Sequence, residues 1–317
     1  MDFKKLLRHG PDIISNVSNR AIQLFNHGRS SPFQIGIVVP EIHTLTSQFF
    51  LAFSRTLESL GIFFEITFYP ATSKNLEVTW KHVAFFLEQK EYDIILSYGI
   101  SCTLAAYDLT IGQGGPWLIF TGLRRQKALD LRLVEFLDSS ENHLTGILLE
   151  KNPFEEQFAE LTKLGIPFKK VLIIYNADGR ILDPLVEEIE QVCTARKLTL
   201  ETFEINTYED YTKSLGSYLD RSDLVLTLRD SFTMLEIETI AGLCKQHNAI
   251  LCTSDWYSVN KGASMGFGFD EHLIGIEAAY KAFLMLQEGV HPSQVPLTTP
   301  PYTYSLRLQE EKNEVMP

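Results

Sequence analysis

From residue 33 onward the chain alternates short apolar runs with longer amphipathic stretches. "FQIGIVVP" (33–40) is continuous, β-branched and closed by proline, which predicts a buried strand. "TLTSQFFLAFSRTLESLG" then carries apolar residues at helical spacing, with a threonine to cap it and Gly61 to end it. The pair repeats as a strand over 63–70 with the helix "NLEVTWKHVAFFLEQK", then a strand over 92–99 with the helix "SCTLAAYDLT". "PWLIFTGL" (116–123) predicts a fourth strand.

The charged stretch over about 124–143 interrupts this rhythm and reads as surface helix and crossover. A second run follows: strands over 143–150, 169–176, 199–205, 223–230 and 249–255, each followed by an amphipathic or polar segment. The late helix "EHLIGIEAAYKAFLMLQEG", a Pro-rich segment and the strand-like "YTYSLRL" close the pattern. Continuous apolar strands alternating with helices predict an α/β fold of parallel sheets covered on both faces. Two such runs without a flexible linker predict two doubly wound lobes. A ligand of such sheets sits beyond the carboxyl ends of the strands.

Composition narrows the function. The chain of 317 residues is 45% hydrophobic and 21% charged, with room for one large or two medium cores. A net charge of −12 with scattered Lys and Arg argues against nucleic acid as a partner. Cys102, Cys193, Cys244 and Cys252 show no CxxC and read as small buried hydrophobes suited to a reducing compartment. The eight histidines show no zinc-binding spacing, so neither a metal nor a cofactor is expected. No stretch reaches eighteen apolar residues, and residues 1–32 lack the pattern of a secretory signal, so the sequence as written predicts a cytoplasmic protein. A start further upstream would instead place it in the periplasm or cell envelope. Ile13, Ile14, Val17, Ala21, Leu24 and Phe25 recur at helical spacing. They predict an amphipathic helix packed on the body or on a second chain, or lying on a membrane surface.

"LSYGISCTLAAYDLT" joins a strand to a helix through a glycine and small residues. Ser101, Cys102 and Thr103 would let a carboxylate approach the first helical turn; the alternative is that Ser101 only caps it. GxSxG, Walker A and strand-to-helix GxGxxG patterns are all missing, and the glycines of "GASMGFGF" follow no phosphate-loop spacing. Asp230 and Asp255 fall at strand ends, where they serve acid–base chemistry or, more commonly, cap helices. Nothing in the sequence requires an enzyme.

Several of these stretches, in shared order and spacing over residues 33 to 309, resemble the substrate-binding proteins of ABC transporters with the periplasmic-binding-protein type I fold. The branch they resemble is the one associated with tryptophan, tyrosine and related small ligands. "GIVVPEIHTLTSQFFLAFSRTLESLG" is similar to the family's opening strand and helix, with His43 at the loop histidine. "YDIILSYGISCTLAAY", "PWLIFTGL", "LTGILLEKNPFEEQFAELTKLGIPFKKVLIIYNA" and "VNKGASMGFGFDEHLIGIEAAYKAFLMLQEGVHPSQVP" resemble later signatures. Thr44 stands where the family has proline, Ser47 where it has an acidic residue, and Cys102 where it has glycine.

The resemblance implies a helical extension over 1–32, a first lobe of 33–143 with a returning 260–309, a second lobe of 144–259, and a tail of 310–317. It implies a small-molecule ligand in the interlobe cleft, with an ABC permease as a partner. The first wall is expected from His43, Thr44, Thr46, Tyr98, Ser101, Cys102, Thr103, Thr121 and Gly122. The second is expected from Asn176, Asp178, Asp230, Ser231, Thr233, Asp255, Trp256 and Tyr257. In "CTSDWYS" an aspartate beside two aromatics suits an ammonium and a ring, hence an aromatic amino acid; the alternative is that Trp256 and Tyr257 only fill a hinge.

Overall fold

The computed structural model describes residues 31–39, 44–71, 76–111, 115–124, 143–149, 154–176, 183–205, 210, 213–228, 230–300 and 302–306. The expected helix over residues 1–32, the crossover over 125–142 and the tail over 310–317 lie outside the described residues, apart from Ser31 and Pro32. The chain divides into two compact units. One holds the described residues up to Glu150 together with Glu271–Pro300, and the other holds Lys151–Asp270 with the chain from Pro301.

In the first unit the strands are β1 (Phe33–Val39), β2 (Phe64–Pro70), β3 (Ile94–Tyr98), β4 (Trp117–Arg124) and β5 (Leu144–Leu149). Its helices are α1 (Thr44–Ser59), α2 (Leu76–Glu88), α3 (Ile100–Thr110) and the late α9 (Glu271–Leu286). The sheet runs β2-β1-β3-β4-β5, with every pairing parallel. Its order reverses between β1 and β3, the switch point where sheets of this topology hold ligands. All five residues of β3 are buried, as a central strand covered on both faces requires. One face packs Val38, Ile95, Leu118 and Phe120 under α2 and α3 through Val83, Phe86, Ala105 and Ala106. Helix α9 packs along α1 because Gly275 has no side chain: a Cβ there would lie 2.2 Å from the Phe49 carbonyl oxygen.

The second unit contains α4 (Phe154–Lys163), β6 (Lys170–Tyr175), α5 (Asp183–Ala195), β7 (Thr199–Glu204) and α6 (Leu215–Leu219). β8 (Leu224–Thr227), α7 (Ser231–Leu235), α8 (Ile237–Gln246), β9 (Ile250–Thr253), β10 (Met265–Phe269) and β11 (Tyr302–Leu306) complete it. The sheet order is β11-β10-β9-β8-β6-β7. Period-two alternation splits β6 between two cores. Leu172 and Ile174 face α6 and α8, while Val171 and Ile173 face α4 and α5.

Three boundaries differ from those the sequence pattern predicts. The pattern opens the second lobe at residue 144, yet 144–149 pairs with β4 and completes the first sheet. The resemblance returns residues 260–309 to the first lobe, yet residues 265–269, not expected as a strand, form β10 and pair with β9 in the second. β11 then joins β10 antiparallel, so the second sheet is not wholly parallel. For β5 and β11 the reason is that apolar periodicity is silent on which neighbour takes a strand's hydrogen bonds; β10 is short and interrupted by two glycines, which hides the strand itself. The amphipathic segment after β8 forms two helices rather than one, α7 and α8, parted at Glu236 (φ −94°, ψ 10°).

Candidate functional site

In the first unit the candidate residues gather where β3 and β4 end. Gly99 follows Tyr98 with φ 83° and ψ 166°, a conformation essentially restricted to glycine. Its N–H donates to the Thr121 carbonyl at 2.8 Å, and its own carbonyl accepts from Thr103 N at 3.1 Å to start α3. Gly99 is thus the N-cap of α3, and no side chain caps the helix. Ser101, expected as either cap or ligand contact, is half-buried in the first turn and does not cap it. Gly122 has φ 77°, and a Cβ there would lie 3.1 Å from Gly99 N. The two glycines therefore lie close together near the ends of adjacent strands, with no room for a side chain at Gly122 and no side-chain cap on the first turn of α3.

Other expected residues of this wall turn inward. Cys102 is fully buried in the α2–α3 core, and burial pushes its thiol up to about 12, so it is no nucleophile at neutral pH. The Thr103 hydroxyl donates to the Gly99 carbonyl at 2.8 Å and shares a 3.0 Å hydrogen bond with Ser97, which locks the joint from below. Thr46 is fully buried within α1. Tyr98 is 8% exposed, with its ring edge-on to Phe49. Thr121 is the exception among the buried residues: its hydroxyl has no hydrogen-bond partner among the described residues. His43 lies outside the described residues, as does the side chain of Thr44.

The second unit closes its strand ends with carboxylates. Asp230 accepts from Thr233 N at 2.7 Å through Oδ1 and from Asn176 N at 3.1 Å through Oδ2. It thereby ties the end of β6 to the start of α7 across the switch point of this sheet. Asn176 adds a 2.7 Å bond from Nδ2 to the Ile205 carbonyl, and the buried Thr233 hydroxyl donates to the Leu228 carbonyl at 2.8 Å. Asp255 is 5% exposed and accepts from Ser258 twice, from N at 2.8 Å and from Oγ at 2.6 Å. These contacts hold the start of the short 3-10 helix Tyr257–Lys261. Trp256 and Tyr257 lie edge-to-face at 6.1 Å, both half-buried, and Trp256 Nε1 is buried without a hydrogen-bond partner among the described residues. Asp178 and the side chain of Ser231 lie outside the described residues.

The geometry thus brings together Tyr98, Ser101, Thr121 and Gly122 in one unit. In the other it groups Asn176 with Asp230 and Thr233, and Asp255 with Trp256 and Tyr257. Sequence reasoning passes over Gly99, Ser258, Gly266 and Gly268. A Cβ on Gly266 would lie 2.2 Å from the Asp255 carbonyl oxygen, and one on Gly268 would lie 2.4 Å from that of Ser254. Glycines alternating within an apolar strand, "MGFGF", are the available signal for such a close backbone approach.

Both strand-end aspartates act as caps, and among the described residues no group of three or more His, Cys, Asp and Glu side chains could hold a metal ion.

A comparison of the sequence with curated proteins finds no match. Solved structures do match in fold. A conserved domain protein from Vibrio cholerae aligns with TM-score 0.74 at 16% identity, over 87% of this chain and 92% of its own. An ABC domain from Streptococcus pneumoniae in complex with L-Trp aligns with TM-score 0.70 at 16% identity, over 86% and 91%. An ABC transporter solute binding protein from Bacillus halodurans with bound myo-inositol gives TM-score 0.62 at 14% identity, over 88% and 96%. These likenesses establish the type I periplasmic-binding-protein fold. The sequence model of the ABC transporter substrate binding proteins matches residues 69–304, about three quarters of the chain, and the protein belongs to that family.

Proposed function

We propose that the chain captures an aromatic amino acid for an ABC-type uptake system, using the strand-end groups of its units. The observation that carries this reading is the uncapped start of α3 at Gly99, beside the orphaned Thr121 hydroxyl. Helix amides left open by glycine suit a carboxylate, and an unpartnered hydroxyl suits a further acceptor or donor on the same ligand. In the second unit Ser258 occupies two of the roughly four lone-pair sites of the Asp255 carboxylate, which leaves capacity for an ammonium. Trp256 supplies a ring face and an unpartnered N–H.

The neighbours support a small organic ligand in general: one holds L-Trp and another myo-inositol. The choice of an amino acid therefore rests on this chain's own residues. Calorimetric titration with tryptophan, tyrosine and phenylalanine, against leucine and myo-inositol, tests it. Trp256→Ala should weaken the preferred ligand about tenfold or more, as loss of a stacking anchor does. If no amino acid binds, or if Trp256→Ala binds as the parent does, the assignment fails. A soluble sensor with the same clamp would bind equally well but without a permease. Fractionation of a C-terminally tagged chain separates that cytoplasmic reading from an envelope protein.

A further inference from the structure

Strand β2 is an edge of the first sheet and pairs only with β1. The Phe63 carbonyl accepts from Phe33 N at 2.9 Å and Ala71 N donates to the Val39 carbonyl at 2.7 Å, so the odd-numbered residues of β2 turn their backbone groups to β1. Phe64, Ile66 and Phe68 therefore turn theirs outward, where no described strand takes them, and their side chains are half-buried. The edges at β5 and β7 are guarded against pairing. Thr298 covers the outer side of β5 through Leu148 N and the Gly146 carbonyl, and β7 carries Glu201 and Glu204, with Glu201 paired to Arg221 at 2.8 Å. β2 has one charge, Glu65, held by Lys90 at 3.1 Å, and one proline, Pro70, at its last position.

We propose that β2 is the contact strand of a symmetric dimer, in which it pairs antiparallel with β2 of a second copy about a twofold axis at Ile66. The parity of the strand selects the register. Outward-facing residues opposite one another exchange two hydrogen bonds, and a twofold at Ile66 sets Ile66 opposite itself and Phe64 opposite Phe68. All three outward residues are then satisfied while β1 keeps its own bonds. Moving the axis one residue on, to Thr67, would put Phe64 opposite Pro70, which has no N–H to give. Moving it one residue back, to Glu65, would put Phe68 opposite Ile62, whose N–H already donates to the Leu57 carbonyl at 3.1 Å.

The side chains agree with that register. On the α1 side, where Phe68 lies edge-on to Phe50 at 4.7 Å, Phe64 meets Phe68 and Ile66 meets Ile66, apolar pairs that stabilise a ladder. On the α2 side, where Tyr69 stacks on Phe86 at 5.1 Å, Glu65 meets Thr67 and not a second carboxylate. A copy of this strand thus matches it on both faces. The contact is small, so the dimer forms at micromolar rather than nanomolar concentration.

Sedimentation velocity of the full chain from about 1 to 300 μM tests the dimer, in about 0.3 M salt to screen the −12 that each copy carries. Ile66→Pro removes an outward N–H and leaves every bond to β1, as proline on an edge strand can, and should weaken the dimer about tenfold or more. Ile66→Lys, which sets like charges face to face on the twofold, should do the same and carries the test if the proline variant does not fold. Disulfide trapping reads the register, since the four native cysteines are buried and free. Ile66→Cys faces itself at about 5.5 Å between Cα atoms and should cross-link. Phe64→Cys lies about 14 Å from its own copy and should link only when mixed with Phe68→Cys. A chain that stays monomeric throughout would overturn the proposal and leave the edge to a strand of another protein. A dimer that survives both Ile66 variants, or a Phe64→Cys chain that links to itself as readily as Ile66→Cys, would overturn it as well.

Discussion

The two units order their first five strands alike, yet they finish the edge of those strands with different chemistry. Read from its own first strand, each sheet runs second, first, third, fourth, fifth: β2-β1-β3-β4-β5 in one and β7-β6-β8-β9-β10 in the other. At the end of β3 the first unit uses backbone alone, with Gly99 and Gly122 in contact and α3 uncapped. At the end of β8 the second unit uses Asp230, which caps α7 and reaches back to Asn176. A helix start closed by a carboxylate has its amides satisfied and repels an anion; one closed by glycine leaves them for a ligand. The same topology therefore ends in backbone alone in one unit and in a capping carboxylate in the other.

The largest effect is expected where the second unit's turn lies directly on a strand. Gly266→Ala would set a Cβ 2.2 Å from the Asp255 carbonyl oxygen and 2.7 Å from Trp256 Cα, and backbone cannot yield as a side-chain tip does. The expected loss is about 3 kcal/mol, measured as a shift of the urea midpoint at constant slope. A loss below about 1 kcal/mol would mean that the 254–256 turn is free to move off β10.

Next come the two strand-end devices themselves. Asp230→Ala removes the acceptor for Thr233 N and Asn176 N and should cost about 2–3 kcal/mol. Gly122→Ala puts a side chain at φ 77° and 3.1 Å from Gly99 N, for about 2 kcal/mol. The comparison predicts that their effects on ligand differ. Gly122→Ala should weaken binding of any carboxylate-bearing ligand beyond its stability cost, because it intrudes on the α3 start. If thermal melts rank these variants as expected but both leave binding untouched, the edges are structural only.

How much of this is legible in the sequence differs between features for a physical reason. Strand and helix existence follows from periodicity, and β1, β3, β6 and β8 stand where the apolar runs place them. Sheet membership does not, because nothing in an apolar run records which strand lies beside it: β5 pairs with β4 and β10 with β9. Asp230 and Asp255 are legible as strand-end caps, since capping is a local event between residues three apart. Cys102, Thr103 and Thr233 share the same strand-end position, yet the helical phase turns their side chains into the interior. Gly99 stands in the most conspicuous joint of the sequence and carries no side chain to draw notice.

The outer edges sharpen the contrast at lower cost. In the second unit β11 adds a full antiparallel strand beside β10. In the first unit the fifth strand is extended only by an isolated parallel bridge, Ile147 with Thr298, and by the Thr145 hydroxyl donating to the Val295 carbonyl at 2.8 Å. The buried Lys281 of α9 donates to the Pro296 carbonyl in that segment. Burial lowers its pKa to about 8, partly offset by Glu277, against about 10.4 for a lysine in water. Between these values this site binds more protons in the unfolded chain than in the folded one, so its own contribution to stability rises with pH across that window. Four buried thiols with raised pKa values ionise first in the unfolded chain and pull the other way, so the lysine is read as a difference: relative to Lys281→Met, the parent should gain about 1–2 kcal/mol from pH 8 to pH 10 in denaturant titrations. A parent and a Lys281→Met variant with the same pH slope would show that the ammonium is solvated.

The smallest effect on stability discriminates best between the edges. Thr121 is fully buried and its hydroxyl has no partner among the described residues, an arrangement that ordinarily costs a protein about 1–3 kcal/mol. Thr121→Val keeps the shape and removes the unsatisfied group, so the unliganded protein should be unchanged or more stable by under about 1 kcal/mol. If the hydroxyl exists to serve a ligand at the glycine joint, the same variant should bind that ligand about tenfold more weakly. Stability and affinity would then move in opposite directions at a single residue. The calorimetric and thermal measurements must be made on the same preparation. A variant that loses stability and keeps its affinity would assign the hydroxyl to the fold and take Thr121 out of the site.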